Sequence, residues 1–197
     1  MLFWRRPTAA AIQQFLTEQG RLELTYLAVG ATAKTPPEGF VVDHTRIKLG
    51  QGEAVFRAAQ AALQRWEQFR LGWLEAGPED TPIQEGQVVA ILARSIGLWW
   101  LNACRIVAVV NEDGPVQRFG FAYGTLPDHA GTGEERFLVE WDRAEGSVWY
   151  EILAFSRPRH ILARLGYPWV RRVQKRFGRE SAAAMRQAVV AASAHPS

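Results

Sequence analysis

The feature of this sequence that most constrains its fold is a long amphipathic segment near the C-terminus. Pro168 suits the first position of a helix, and apolar residues then recur at helical spacing over about 20 positions. These apolar positions are Trp169, Val170, Val173, Phe177, Ala184, Met185 and Ala188. A helix with so long an apolar face is stable only against a broad apolar surface, so the rest of the chain must supply one.

The chain before this helix predicts that surface in the form of antiparallel strands. Alternating or apolar stretches are separated by short turns that contain Gly, which is typical of β-hairpins. The predicted strands are residues 40–49, 68–75, 87–95, 98–110, 116–126, 135–142 and 147–155. A sheet that covers a long helix with one face must curve around it.

Two other helices are predicted in the N-terminal third of the chain. The first follows Thr8, which suits an N-cap, and ends at Gly20. The second runs from Glu53 to Trp66, and an extended stretch is expected at 24–29. This order predicts an α+β fold in one domain, residues 1–197: a curved antiparallel sheet gripping the long C-terminal helix, with an additional N-terminal helix.

Composition favours a soluble, cytoplasmic protein. Apolar residues make up 48% of the chain and charged residues 22%, as in ordinary globular domains. No signal peptide is recognisable, and the most apolar stretch, residues 96–110, is too short for a transmembrane segment and contains Asn102 and Arg105. The only cysteine, Cys104, is interpreted as a buried apolar residue. The four histidines form no metal-binding pair, so we predict no metal and no cofactor.

Four short stretches resemble a known family of proteins. They are VVDHTR at 41–46, FGFAYGTLP at 119–127, GEERF at 133–137 and FSRP at 155–158. Together they are similar to a bacterial and plant family catalogued as domain of unknown function 1990, and the similarity covers nearly the whole chain. The resemblance implies a START-like, or helix-grip, fold. Members of that fold commonly hold lipids, sterols or other apolar ligands between sheet and helix, and some perform acid-base chemistry there.

Aromatic residues on the predicted strands are the candidates for lining such a cavity. Strand alternation places three of them on one face of strand 116–126 and two on one face of strand 135–142, and the helix adds one more. The predicted ligand-binding residues are Phe119, Phe121, Tyr123, Phe137, Trp141 and Trp169. We expect them to bind an apolar or amphipathic small molecule, although an aromatic stripe is also typical of an ordinary core. The small residues on the opposite face, Gly120, Ala122 and Gly124, suggest close packing there.

Ionisable residues on the strands leave an enzyme as an alternative hypothesis. His44 and Arg46 share one face of strand 40–49, which we interpret as solvated, although the same residues could face a cavity as an acid-base group and an anion contact. Glu151 faces either solvent or the cavity, since both faces of strand 147–155 are apolar enough to be inner. The candidate proton-transfer groups are therefore His44, Tyr123 and Glu151, and no catalytic residue is assigned.

The C-terminal helix is also strongly basic. Residues 157–186 contain nine Lys or Arg and one acid, Glu180. The default interpretation is a solvated face. The alternative is an interaction surface for anionic lipid headgroups or RNA through Arg172, Lys175 and Arg179, although no specific nucleic-acid motif accompanies it.

Overall fold

The computed structural model describes residues 1–159 and 166–194, which form eight strands and three helices. The helices are α1 (Ala9–Gln19), α2 (Glu53–Gln64) and α3 (Tyr167–Ala194). The strands are β1 (Leu2–Phe3), β2 (Val41–Gln51), β3 (Leu74–Gly77), β4 (Val88–Ser95), β5 (Leu98–Glu112), β6 (Val116–Thr125), β7 (Gly131–Asp142) and β8 (Ser147–Pro158). Short 3-10 turns lie at Ala31–Ala33 and Glu67–Phe69.

The strands form one curved antiparallel sheet in the order β2-β8-β7-β6-β5-β4-β3, with β1 paired to β5. The second and third helices, α2 and α3, pack on the concave face. The first helix, α1, packs on the convex face, where Phe15 contacts a separate apolar cluster of β4 and β5. The predicted α+β fold, with a curved sheet gripping a long C-terminal helix and an additional N-terminal helix, is confirmed.

The core lies between the concave face and the two helices that cover it. Phe56 and Leu63 of α2 and Met185 of α3 are almost completely buried there. The aromatic rings of Phe121 and Phe137 lie under them with ring centroids 5.2 Å apart. Burying several rings of this size removes a large apolar area from water and stabilises the fold.

The extended stretch at 24–29 and some strand bounds differ from the predictions. Residues 24–29 form no strand: the Thr25 amide donates to the Thr125 carbonyl, and the Tyr26 hydroxyl donates to the Glu134 carboxylate, as do the Gly30 and Thr32 amides that follow. The predicted strand at 68–75 begins only at Leu74. Before it, a 3-10 turn follows Trp66, which has a φ of 57° and ends the helical run.

The expectation of close packing behind the small residues of β6 is met at Gly124. A Cβ atom at that position would overlap the hydroxyl oxygen of Tyr26. The segment that carries Tyr26 therefore lies directly on the convex face of the sheet. A side chain larger than hydrogen would push this segment away from the strand.

Helix α3 approaches the edge strand β2 most closely at Gly178. A Cβ atom there would lie 2.7 Å from the Thr45 Oγ1 and 3.7 Å from the Thr45 Cβ. Alanine is favoured over glycine inside a helix by about 1 kcal/mol. We expect Gly178→Ala to gain nothing in the native chain, because the methyl group meets the threonine hydroxyl. In a Thr45→Ala background the same change should raise the free energy of unfolding by about 1 kcal/mol.

Urea denaturation of the four proteins of this double-mutant cycle measures the coupling. An equal effect of Gly178→Ala in both backgrounds would show that helix and strand are not in tight contact at this point.

Candidate functional site

The side chains of the concave face differ from one cross-strand row to the next, and this difference leaves a cavity. One row of residues, which neighbour one another across the strands, consists of Thr45, Ile152, Phe137 and Phe121. The next row, toward the C-terminal end of β6, consists of Asp43, Ala154, Glu135 and Tyr123. Beyond it lie Ser156 and Gly133. Ala154 stands in the second row where the first has the larger Ile152, and Ser156 and Gly133 follow, so at these positions the sheet leaves space below α3.

The resulting cavity lies between the sheet and α3 and has a volume of about 470 Å³. Its apolar lining includes Phe69 of the second 3-10 turn, Trp73 just before β3 and Ile152 of β8. Helix α3 contributes Val173 and Phe177. A second cavity of about 510 Å³ adjoins it and shares part of its lining. Both volumes fall within the range of small-molecule sites.

Glu135 is the acid that faces this cavity. Its carboxylate accepts a hydrogen bond of 2.7 Å from the Tyr123 hydroxyl, and both side chains line the cavity wall. Burial raises the pKa of Glu135 from its ordinary 4.5 to about 7, against the opposing effect of the Tyr123 hydrogen bond and with a further contribution from the nearby Asp43 charge. The carboxyl group can therefore take up or release a proton near neutral pH.

The second acid in the same row, Asp43, is already paired. Two nitrogens of the Arg171 guanidinium, on α3, lie 2.5 and 2.6 Å from the two carboxylate oxygens of Asp43. Gln174 donates to the Ser156 hydroxyl at 2.9 Å one turn along the helix. These contacts join α3 to β2 and β8 beside the cavity, and the Asp43 hydrogen bond raises the pKa of Arg171.

The neighbouring residue Glu134 shows what a structural carboxylate looks like in this chain. It points to the convex face and accepts four hydrogen bonds, from the Tyr26 hydroxyl, the Gly30 amide and both the amide and the hydroxyl of Thr32. Its exposure is only 2%. Glu135 has one such donor, so most of its hydrogen-bonding capacity faces the cavity.

The six predicted ligand-binding residues are distributed over three places. Tyr123 lines the main cavity, and Trp169 lines the adjoining one, where its indole nitrogen donates to Ser95. Phe121 and Phe137 are completely buried beneath Phe69.

The remaining two of the six lie at the other end of the sheet. Trp141 packs against Phe56 of α2 with ring centroids 6.0 Å apart, and Phe119 belongs to the same core. At these positions the ordinary core interpretation describes the surroundings better than a ligand wall does, because α2 fills the concave face there.

The side chains of the sequence-based candidates His44, Arg46 and Glu151 point away from the cavity, although His44 borders it. Strand alternation puts all three on the convex face, where Arg46 lies 2.9 Å and His44 3.3 Å from a Glu151 oxygen. Arg136 contacts the other oxygen at 2.6 Å. Burial alone would raise the pKa of Glu151, but hydrogen bonds from Arg46, Arg136 and His44 keep it below its ordinary value. Of the two orientations left open for His44 and Glu151, the structure has the outward one, in an ion-pair network in which carboxylates of the same chain hold Arg46.

The basic face of α3 is exposed where it was predicted to be. Arg172, Lys175 and Arg179 all lie on the solvent side of the helix. Arg176 differs, because it pairs with Glu180 at 2.7 Å and stacks over the Trp73 ring at 4.5 Å. Lys175 and Arg179 also form part of the cavity rim.

Sequence reasoning missed Glu135, and a signal for it was present. Residue 135 alternates in phase with Phe137, which was assigned to the inner face, so the same alternation puts a carboxylate on that face. The adjacent Glu134 concealed the signal, because two consecutive glutamates are ordinarily a solvated turn or strand end. The strand also begins four residues earlier than predicted, at Gly131.

The sequence comparisons agree with this geometry. Residues 25–184 match the sequence model of the family described as domain of unknown function, DUF1990. The chain belongs to this family. A UPF0548 protein of Dictyostelium discoideum is 36% identical over 96% of both chains. A UPF0548 protein of Arabidopsis thaliana is 32% identical over 93% of this chain and 95% of the relative.

Among solved structures the similarity is limited to the fold. A Thermus thermophilus protein, TTHA0849, superimposes with a TM-score of 0.49 and 16% identity, over 78% of this chain and 99% of that chain. Human STARD10 gives a TM-score of 0.41 and 11% identity, over 94% of this chain and 81% of that chain. The helix-grip arrangement of this DUF1990 member is therefore identified from its own strand order and from the position of α3.

The part of the chain that the structure describes contains neither a metal-binding cluster nor a membrane-spanning helix. No three His, Cys, Asp or Glu side chains of residues 1–159 and 166–194 are placed to share a metal ion. None of the helices in those ranges is long and apolar enough to cross a membrane.

The raised pKa of Glu135 predicts a pH dependence of stability. Between about pH 4.5 and pH 7 the folded chain keeps a proton that the unfolded chain has lost, so the free energy of unfolding should decrease as the pH rises. At about 1.4 kcal/mol per pKa unit, this decrease is on the order of 3 kcal/mol by pH 8. Glu135→Gln removes the carboxylate and should abolish it.

Urea denaturation of the native and Glu135→Gln proteins at pH 5 and pH 8 tests this. Their difference in unfolding free energy should grow toward pH 8 in favour of the Gln variant. Parallel pH profiles would mean that Glu135 is well solvated.

Proposed function

We propose that this DUF1990 member binds an amphipathic small molecule in the cavity between its sheet and α3. The observation that supports this most is the combination of an apolar lining with a few inward polar groups, which is the usual composition of a small-molecule site. The Phe177 ring, which stacks at 5.4 Å on the buried ring of Phe69, offers an apolar wall. Glu135 and Tyr123 offer a polar end.

The cavity is also maintained by directional contacts. The Arg171–Asp43 pair and the bond from Gln174 to Ser156 fix α3 on the side of β2 and β8. On the other side the Trp73 indole donates to Glu180 of α3. Polar contacts at both margins hold the helix at a set distance from the sheet, so the space below it is preformed and a ligand need not separate the two layers.

A second candidate function is acid-base catalysis in the same cavity. It is favoured by one observation, the Glu135 carboxyl group with a pKa of about 7 next to the Tyr123 hydroxyl. A group of this kind is matched to proton transfer at neutral pH. The candidates His44 and Glu151 have no part in this hypothesis, because they lie on the convex face.

The binding function predicts that apolar compounds stabilise the folded chain. A panel of fatty acids, isoprenoids and aromatic polyketides should contain members that raise the melting temperature and change Trp fluorescence. At a concentration about 100 times the dissociation constant, the gain is about 2.7 kcal/mol.

Two matched variants locate the binding. Ala154 lines the cavity, so Ala154→Phe should fill the space and remove the ligand-induced stabilisation. Glu151→Gln, on the convex face, should leave it unchanged. Stabilisation that survives Ala154→Phe, or a panel with no stabilising member, would contradict the proposed function.

A further inference from the structure

The strongest unexplained feature of the cavity is its charge balance. Two carboxylates face it from neighbouring positions of one cross-strand row, Asp43 and Glu135. Arg171 neutralises Asp43 with two short contacts. Among the side chains that the structure describes, no Lys, Arg or His contacts Glu135, whose partner is the neutral Tyr123 hydroxyl. When Glu135 is ionised, its charge therefore has no contacting partner among the described side chains, since the cations Lys175 and Arg179 lie exposed at the rim.

We propose that the ligand of this cavity is an amphipathic cation, an amine whose protonated nitrogen binds the Glu135 carboxylate while its apolar body lies against Phe69 and Phe177. This inference rests on the proposed binding function and adds the chemical class of the ligand to it. A buried carboxylate without a partner is costly, and a bound ammonium group supplies both the opposite charge and hydrogen-bond donors.

Neutral and anionic headgroups fit the same surroundings less well. An alcohol could donate to Glu135 but would leave its charge uncompensated. A carboxylate would meet repulsion from Glu135. It could instead bind at the rim to Lys175 and Arg179, but these side chains are exposed, and an exposed ion pair contributes only about 0–1 kcal/mol. Its tail would then lie against the Glu135 carboxylate.

The walls beside Glu135 also suit a cation. The Phe69 ring lies 6.2 Å from the Tyr123 ring and 5.4 Å from the Phe177 ring, centroid to centroid. Aromatic faces attract ammonium groups and the polarised C–H groups next to the nitrogen. Among the described residues of this wall, Trp73 already has the Arg176 guanidinium over it and Phe69 is only 1% exposed, so the half-buried Phe177 ring is the more accessible one for a cation.

The proposal predicts a defined pH dependence of binding, since an ammonium group requires the ionised carboxylate. Affinity should rise about tenfold per pH unit up to about pH 7 and then remain level until the amine loses its own proton near pH 10. The other groups that face Glu135 do not change charge in this interval. Burial raises the pKa of Tyr123, Cys104 and Tyr150 and lowers that of His129 to about 4. The charged or titratable residues that also line this cavity are Asp43, His44, Glu134, Lys175 and Arg179; Asp43 is paired with Arg171, Glu134 is held by its four donors, and the His44 side chain points to Glu151 on the convex face.

The test uses three probes with the same tail: decylamine, decanol and decanoate. Isothermal titration calorimetry on the full chain at pH 5, 6, 7 and 8 gives their affinities. At pH 8 we expect decylamine to bind at least about tenfold more tightly than either of the others. At pH 5 its advantage over decanol should disappear. Glu135→Gln should abolish both the amine preference and its pH dependence while decanol still binds, and Glu151→Gln should keep them.

A second variant covers the case in which Glu135→Gln does not fold. Tyr123→Phe removes the hydrogen bond that opposes the raised pKa of Glu135, so the midpoint of the decylamine pH profile should move upward. An unchanged midpoint would count against Glu135 as the cation partner.

The outcomes separate the two proposals. If decanol or decanoate binds as tightly as decylamine at pH 8, or if Glu135→Gln keeps the amine preference, the cation assignment is wrong and the cavity function stands. If none of the three probes binds, both proposals are overturned.

Discussion

The packing of one long helix across a curved sheet governs the rest of this structure. Helix α3 has apolar contacts along its length, but they differ between its two ends. Near Met185 and Val189 it shares a closely packed core with α2. Near Val173 and Phe177 it lines the cavity, and individual contacts such as Gln174 with Ser156 join it to the sheet. Helix α3 thus covers the core at one of its ends and the cavity at the other.

Polar contacts hold α3 in position above the cavity, where apolar packing is lacking. The Tyr150 hydroxyl lies 3.0 Å from the Ser181 hydroxyl at the margin of the core. Toward the cavity follow the close approach of Gly178 to Thr45 and the Arg171–Asp43 ion pair. Hydrogen bonds and ion pairs fix the distance and direction of α3 relative to the sheet, whereas apolar contacts alone would favour collapse of α3 onto the sheet.

The fold could be predicted from the sequence because its signals are long and periodic. The apolar spacing from Trp169 to Ala188 specified α3, and the alternation in residues 116–126 and 147–155 specified strands close to those observed. The family assignment supports the same conclusion. The segment at 24–29 could not be predicted, because the Thr25 amide donates to the Thr125 carbonyl and the Tyr26 hydroxyl to Glu134, both 100 or more residues away in the chain.

The site could be predicted only in outline. Tyr123 was assigned correctly to the inner face, but the depth of each aromatic residue depends on which helix covers it, and alternation carries no such information. For β2 and β8 the inner face was left open because both faces carry apolar residues. Register settles it, since Arg46 lies directly opposite Glu151 on one face and Thr45 opposite Ile152 on the other.

The two consecutive glutamates of β7 show how one strand separates stability from function. Glu134 has four donors and joins the N-terminal segment to the convex face, so it contributes to folding. Glu135, one residue later, has one neutral donor and a raised pKa, which makes its ionised form a cost to the folded state near neutral pH. A glutamine or leucine there would avoid that cost, as replacing buried charges often does. Among the described side chains Glu135 contacts no partner of opposite charge, and a destabilising group of this kind at a cavity wall is consistent with the binding site that we propose.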